Sequence, residues 1–341
     1  MAETTLATNN ALTKKLYQER LFRDVVKESY FSRFMGRTSN DMVQVKTELE
    51  KSQGDEMTFG LRMRLSGVGV EDDAILEGNE EDLTTYSNSI VLKQYRHAVK
   101  DNGALTRQRA VYDVDSESEM ALKDWGNEKI DQLCFDAILD TPTKTFYRAA
   151  ADGAVAAGSA ATAKAALSDA NGKINTVILS AMSTWAKTGG NRTYVPIRPL
   201  MVDGKAYYVA LVHPDCNHDL RNDSTFQAAM RDAAERGKEN PLFRGSFAIW
   251  NGVVIHEHEN CTPAADGGGA SVAWAKGAFL GAQSLLWAFG RRPRLIEKNF
   301  DYENKHGKAW GVIARAKKPV FNSLDYGSLG LYLARTNVSG L

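Results

Sequence analysis

The sequence is short of cysteine, of net charge and of long apolar runs, and each shortage removes a class of protein. Three cysteines, Cys134, Cys216 and Cys261, in 341 residues are too few and too scattered for a disulfide framework. Their odd number points to free thiols in a reducing compartment. Lys plus Arg (42) equals Asp plus Glu (42), so no global field draws the chain to nucleic acid or to an anionic membrane. No window approaches the ~18 consecutive apolar residues of a membrane-spanning helix. The opening MAETTLATNNALTKK lacks the basic-then-apolar order of a secretory signal. Neither export by that route nor a membrane span is expected.

Catalytic signatures are scarce too. His213, Cys216 and His218 (HPDCNH) and His256, His258 and Cys261 (HEHENC) offer imidazole and thiolate, which suit zinc. Their spacing matches no closed zinc motif and contains no CxxC, so structural histidines and cysteines explain them better. Gly267-Gly268-Gly269 lacks both the Walker lysine and a strand-GxGxxG-helix context, and reads as a loop. Ser180, Ser246 and Ser284 have no GxSxG surroundings, and Asp215 near His213 needs no catalytic role to be explained. No enzymatic activity, cofactor or metal is expected.

What remains is ordinary globular material, 43% hydrophobic and 25% charged, long enough for two domains or one elaborated one. Its most telling stretch runs from Gly54 to Val99. Met57, Phe59, Leu61, Met63 and Leu65 alternate with Thr58, Gly60, Arg62 and Arg64, the period of a strand with one apolar face. A return strand is expected from Leu83 to Val99. Between them SGVGVEDDAILEGNEED holds seven acids (Glu71, Asp72, Asp73, Glu77, Glu80, Glu81, Asp82) and no Lys or Arg. Such a tip either repels itself and calls for a basic partner or stands as a solvated acidic loop. A two-stranded ribbon reaching about 35 Å is at best marginal alone in water, so the hairpin is expected to lie on a neighbouring subunit. Candidate partners are Arg33 and Arg37 near the N-terminus, or Arg291, Arg292 and Arg294 in a run (291–318) with nine Lys or Arg against three acids.

In chain order, residues 11–36 carry apolar residues at mostly three- and four-residue steps and predict an amphipathic helical arm. A long helix is expected over 116–140, with Ser116 and Glu119 as a capping box and Thr141-Pro142 as the stop. At about 1.5 Å per residue it spans about 37 Å and suits a spine. Residues 149–167, with eleven alanines, read as a linker or exposed loop. A helix over 174–187 ended by Gly189-Gly190, strands around Asp203-Gly204, a helix over 215–236 and a hairpin at Asn251-Gly252 follow. Residues 272–290 are of undetermined type, and a last hairpin is expected to turn near His306-Gly307. The order is α+β, not a wound parallel sheet.

The blocks SQGDEMTFGLRMRLSGVGV, LEGNEEDLTTYSNSIVLKQYRHAV, IRPLMVDGKAYYVALVHP, DLRND and NPLFRGSFAIWNGVVIHEHE resemble, in order, the major capsid proteins of N4-like tailed bacteriophages. The resemblance covers roughly residues 10–315; the alanine-rich stretch departs from it. It implies the tailed-phage major capsid fold: an N-terminal arm (1–45), an extended hairpin loop (46–99), a peripheral domain with the spine helix (100–168), an axial domain (169–298), and a return to the peripheral domain (299–341). It implies no catalytic residues. The expected function is assembly, as pentamers and hexamers, of an icosahedral virion shell around double-stranded DNA. The partners implied are further copies of the chain, portal and scaffolding proteins, decoration proteins and packaged DNA held non-specifically, with assembly in the host cytoplasm and no membrane. The short arm leaves little room for a fused scaffold, so a separate scaffolding protein is expected. An encapsulin-like compartment of the same fold, filled with cargo protein, is the alternative.

Overall fold

The computed structural model describes residues 29–48, 54–63, 65, 67–72, 75–149, 152–192, 195–232, 248–268 and 272–337. Most of the arm expected over 11–36 lies outside the described residues; its described end, Phe31–Phe34, is a single 3-10 turn. Strands β1 (Met35–Gly36) and β2 (Val43–Lys46) come first, then β3 (Glu56–Arg62), β4 (Thr85–Val91), β5 (Lys93–Lys100), helix α1 (Ala104–Arg109) and helix α2 (Val114–Ile138). Next are β6 (Thr145–Arg148), β7 (Val155–Gly158), α3 (Ala160–Ala165), α4 (Thr176–Arg192), β8 (Leu200–Val202), β9 (Lys205–Val212), α5 (Pro214–Arg221) and α6 (Ser224–Asp232). The chain closes with β10 (Ala248–Trp250), β11 (Val253–Glu257), β12 (Pro263–Gly267), β13 (Val272–Leu280), β14 (Leu285–Phe300), β15 (Lys305–Lys317), β16 (Val320–Phe321), β17 (Leu324–Asp325) and β18 (Ser328–Ala334). This is the α+β order expected. No helix among the described residues is long and apolar enough to cross a membrane.

The chain divides into two compact units. The larger (29–93, 130–292 and 313–341) is built on a sheet ordered β10-β11-β9-β13-β18-β6-β7, with β12 added to β13 and β8 to β9. Beside its central strand β13 lies β18, SLGLYLA, buried at all seven positions. The period of two sorts its side chains. Leu329, Leu331 and Leu333 join Ile178, Leu179 and Met182 of α4, Leu220 of α5 and Phe226 of α6 on one face. Tyr332 joins Trp274, Tyr147, Ala163 and Leu167 on the other. A strand covered on both faces reads as a continuous apolar run, and β9 and β13 read the same way.

Burial also explains where sequence expectation fails. The alanine-rich stretch is not a linker: it forms β7 and α3, with Ser159 Oγ accepting the Thr162 N–H at 3.2 Å as the N-cap. Alanine is the best helix former, and Ala163 lies fully buried where a larger residue would not fit as closely. The helix expected over 215–236 breaks into α5 and α6 because Asp223 caps the second, accepting the Thr225 N–H at 3.1 Å while its other oxygen takes Thr176 N–H at 3.1 Å. Helix α4 continues past Gly189, which adopts φ 61, to Arg192. Residues 272–290 are β13 and the start of β14. The turns at Asp203-Gly204 and Asn251-Gly252 are as expected, with φ of 49 and 74, and 46 and 78.

In the smaller unit, whose described residues are 94–129 and 293–312, β5 lies beside β15 and β15 beside β14. The first half of α2 packs there through Trp125, whose ring meets Trp310 edge-on at 5.5 Å and His97 at 4.8 Å. A Cβ on Gly126 would lie 2.5 Å from the Trp310 ring, so only glycine admits this approach. The N-cap of α2 is Asp113, not the expected Ser116: Asp113 accepts the Asp115 N–H at 3.1 Å and the Ser116 hydroxyl at 2.5 Å. The last hairpin turns at Asp301–Asn304, earlier than His306-Gly307, because β15 already begins at Lys305.

Candidate assembly interface

The β3–β4 hairpin forms in the register Glu56↔Val91 through Arg62↔Thr85 and continues one step further, with Met63 N–H donating to Thr84 O at 3.0 Å. Met57, Phe59 and Leu61 face one side, half-buried, while Glu56, Thr58, Gly60 and Arg62 are exposed. The return strand expected to reach Val99 is divided at Leu92: β4 pairs with β3, and β5 leaves for the sheet of β15.

Among the described residues, contacts along its paired strands hold the hairpin to its own subunit. Phe59 meets Phe321 of β16 edge-on at 5.8 Å. Asn88 Nδ2 donates to Val320 O at 2.6 Å, and Lys317 Nζ donates to Asn88 Oδ1 at 2.8 Å and to the Ser89 carbonyl. Burial, with Arg315 nearby, pulls the Lys317 ammonium below the usual lysine range, Glu56 opposing. Beneath, Lys318 is 7% exposed and its Nζ reaches Asp325 at 3.1 Å, Asp140 O at 3.3 Å and Thr141 O at 3.2 Å. That ammonium binds the turn that follows the C-terminal end of α2.

The described residues of the tip form no strand or helix, and its acids divide into two groups. Glu81 Oε2 accepts the Gly67 N–H at 2.6 Å and Glu80 Oε2 the Gly78 N–H at 2.7 Å, so these two shape the loop. Glu71, Asp72, Glu77 and Asp82 are exposed and make no ion pair among the described residues; Asp73 lies outside them. Sequence reading concentrated on charge and passed over the apolar residues between. Leu65 (60%), Val68 (93%), Ile75 (73%), Leu76 (60%) and Leu83 (56%) are all open to solvent. The signal was present in VGV and AIL, inside the acidic segment.

The basic candidates are also unequal. Arg33 serves its own subunit: its guanidinium lies 4.4 Å above the Tyr30 ring and its Nε donates to Tyr30 O at 3.2 Å. Tyr30 belongs to an aromatic foot with Phe31, Phe34, Phe135, His256 and His258. Asp131 of α2 fixes that foot by accepting Tyr30 N–H at 2.6 Å, Phe31 N–H at 3.2 Å and Ser29 Oγ at 2.8 Å. Arg37, Arg291, Arg292 and Arg294 are exposed, the last three along β14. Within one chain the structure does not bring them together with the acidic tip in any ion pair among the described residues.

The histidines and cysteines of the two candidate zinc segments do local work. His213 Nδ1 accepts the Asp215 N–H at 3.2 Å to cap α5, and His258 Nδ1 accepts the Asn260 N–H at 3.1 Å. Cys216 and Cys261 are fully buried, and burial pushes the Cys261 thiol up to about 12. Among the described residues the one set of His and acids close enough to hold an ion is Asp101, Asp115 and His306. Asp101 is already engaged by the Arg107 guanidinium and by the His306 N–H at 2.7 Å. Burial raises the Asp101 carboxyl, but those hydrogen bonds outweigh it and hold it below its usual range.

A two-stranded arm whose tip exposes both acids and large apolar residues presents surface for contact. The comparisons with known proteins agree. A family model described as phage capsid protein matches residues 5–330. The major capsid protein of Pseudomonas phage KPP25 is 29% identical over 365 residues, covering 94% of this chain and 95% of that protein. The capsid of Ralstonia phage GP4 matches with a TM-score of 0.82 at 26% identity over 99% of both chains. The cyanophage Pam1 capsid also gives 0.82, at 21% identity over 99% of this chain and 100% of that one. The chain therefore belongs to the phage capsid protein family and has the tailed-phage capsid fold. It is a structural virion component and not an enzyme: a major capsid protein, which forms the icosahedral shell of a bacteriophage. Family membership decides for a virion shell over a cargo compartment.

Proposed function

We propose that the chain builds its shell as pentamers and hexamers in which each β3–β4 hairpin lies over a neighbouring copy. The observation that supports this most is the tip, where four carboxylates with no ion pair among the described residues and five large apolar side chains stand exposed at the end of a two-stranded arm. Buried apolar area stabilises association by about 25 cal/mol per Å² before ordering costs, so such a surface is productive only when covered. The basic residues offered are Arg37, Arg291 and Arg294, with Arg33 and Arg292 already engaged in their own chain.

The division into arm (1–45), hairpin loop (46–99), peripheral domain (100–168), axial domain (169–298) and returning segment (299–341) is proposed on the same footing. So are the kinship with N4-like phages, which rests on the sequence blocks, and the partners: portal, a separate scaffolding protein, decoration proteins and double-stranded DNA packaged after assembly in the host cytoplasm. Balanced charge suits a shell filled by a motor, because such a shell does not neutralise its own genome. Electron microscopy of the chain expressed with and without the other head proteins tests this. Closed shells with five- and six-fold capsomers are expected; a discrete species of a few subunits under both conditions would overturn it.

A further inference from the structure

We infer that the turn between β14 and β15 is a second docking element, in which Tyr302 of one copy seats on the Val111–Tyr112 patch of another. This rests on the reading of the chain as a shell subunit, but not on how the β3–β4 hairpin docks. Asp301, Tyr302 and Glu303 follow one another with φ of 54, 49 and 68, the left-handed region in which side chains other than glycine are strained. Three such residues in succession persist only when their surroundings impose them, and strain of this kind gathers at functional positions.

The surroundings are rigid. Asn304 N–H donates to Asp301 O at 3.0 Å, and Asn304 Oδ1 accepts the Ala104 N–H at 3.1 Å, tying the turn to the start of α1. At the strand ends below it, the ammonium groups of Lys100 and Lys298 lie 4.5 and 5.0 Å from the Phe300 ring. What this frame presents is a tyrosine at 105% relative exposure, flanked by two exposed acids. A tyrosine supplies large contact area for little conformational entropy, and interface hot spots are enriched in it.

The occupant is another copy of this chain, because the same unit carries the matching surface. Leu105 (58%), Val111 (49%) and Tyr112 (38%) are exposed on and just after α1, a helix with no buried residue. Arg109 stands exposed beside them and makes no ion pair among the described residues. An aromatic knob between acids thus meets an apolar patch beside a base.

The test uses shells of the full chain assembled with the other head proteins, with Tyr302→Ala, Tyr302→Gly and the pair Asp301→Arg/Glu303→Arg. Shells of both Tyr302 variants should dissociate about tenfold faster at a fixed urea concentration. The unassembled chain should keep its melting temperature in Tyr302→Ala and match or exceed it in Tyr302→Gly, where the strain is relieved. The reversed tip should weaken shells, and adding Arg109→Glu, which leaves the contact attractive with signs exchanged, should restore them. Tyr302 variants that dissociate at the parental rate would overturn the docking role, and failure of Arg109→Glu to restore the reversed tip would overturn the proposed seat. If the parent chain forms no shell, the reading of Proposed function fails instead.

Discussion

Strand β18 and the tip of the β3–β4 hairpin are written in similar letters and meet opposite fates. SLGLYLA is buried at every position, whereas Val68, Ile75 and Leu76 are exposed by 93, 73 and 60%. Hydrophobicity of the residues does not separate them; the presence of covering surface within the chain does. Around β18, helices α3 and α4 supply that surface on both faces. At the tip, charges that no core would accept keep apolar residues in water, and on the proposed reading a neighbouring copy covers them. The first region stabilises the subunit and the second has no task inside it.

The comparison breaks hardest if the subunit core is cut. Lys318→Ala removes the ammonium from the buried carboxylate of Asp325, which is 3% exposed, and should destabilise the unassembled chain by about 3–5 kcal/mol in denaturant unfolding. Leu331→Ala, at the centre of β18, should cost about 2–5 kcal/mol. A loss under about 1 kcal/mol in either would mean that the core of this sheet is looser than its burial indicates. Shells carrying these changes should be scarce for want of folded subunit, not for want of contact.

The complementary test alters the tip alone. Replacing Val68, Ile75 and Leu76 together by serine should leave the unfolding of the free chain within about 0.5 kcal/mol per site, as for surface positions without partners, while shell yield collapses. Parental yield would show that these residues face solvent in the shell as well.

Acid offers a third test, confined to the smaller unit. The Asp101 carboxyl is held below its usual range by Arg107 and the His306 N–H. A carboxyl with a depressed folded pKa contributes stability that is complete above the unfolded value, about 3.9, and is lost as pH falls through the folded one. Asp101→Asn should lower the melting temperature at neutral pH and flatten its decline below about pH 4. A variant with the parental acid limb would place that decline on other groups.

How much of this was legible follows the same division. The period-two run that begins at Met57, the Asn251-Gly252 turn and the long helix α2 declare themselves locally, because each depends on residues a few positions apart. The helix of 149–167 did not, since alanine's small size decides its place only once β18 and Trp274 are known to lie over it. Charge at the tip was visible and its exposed apolar residues were not singled out, since exposure is a tertiary property. Tyr302 was equally hidden: nothing in FDYENK marks three left-handed residues in a row. The expected capping box yielded to Asp113, a residue whose role depends on where α2 begins.

The smallest expected effect concerns the carboxylates. Neutralising Glu71, Asp72, Glu77 and Asp82 by the corresponding amides keeps side-chain size and spares Glu80 and Glu81, which bind the loop's own backbone. Exposed ion pairs contribute about 0–1 kcal/mol each, so single changes should be invisible, and only their repetition around the shell makes the sum measurable. The amide shells should dissociate at a lower temperature than the parent at low ionic strength. The gap should close near 1 M salt, where screening length falls to about 3 Å. A gap that persists at high salt would assign the effect to lost shape instead of charge, and equal dissociation temperatures throughout would leave the apolar residues of the tip as its entire grip on the neighbour.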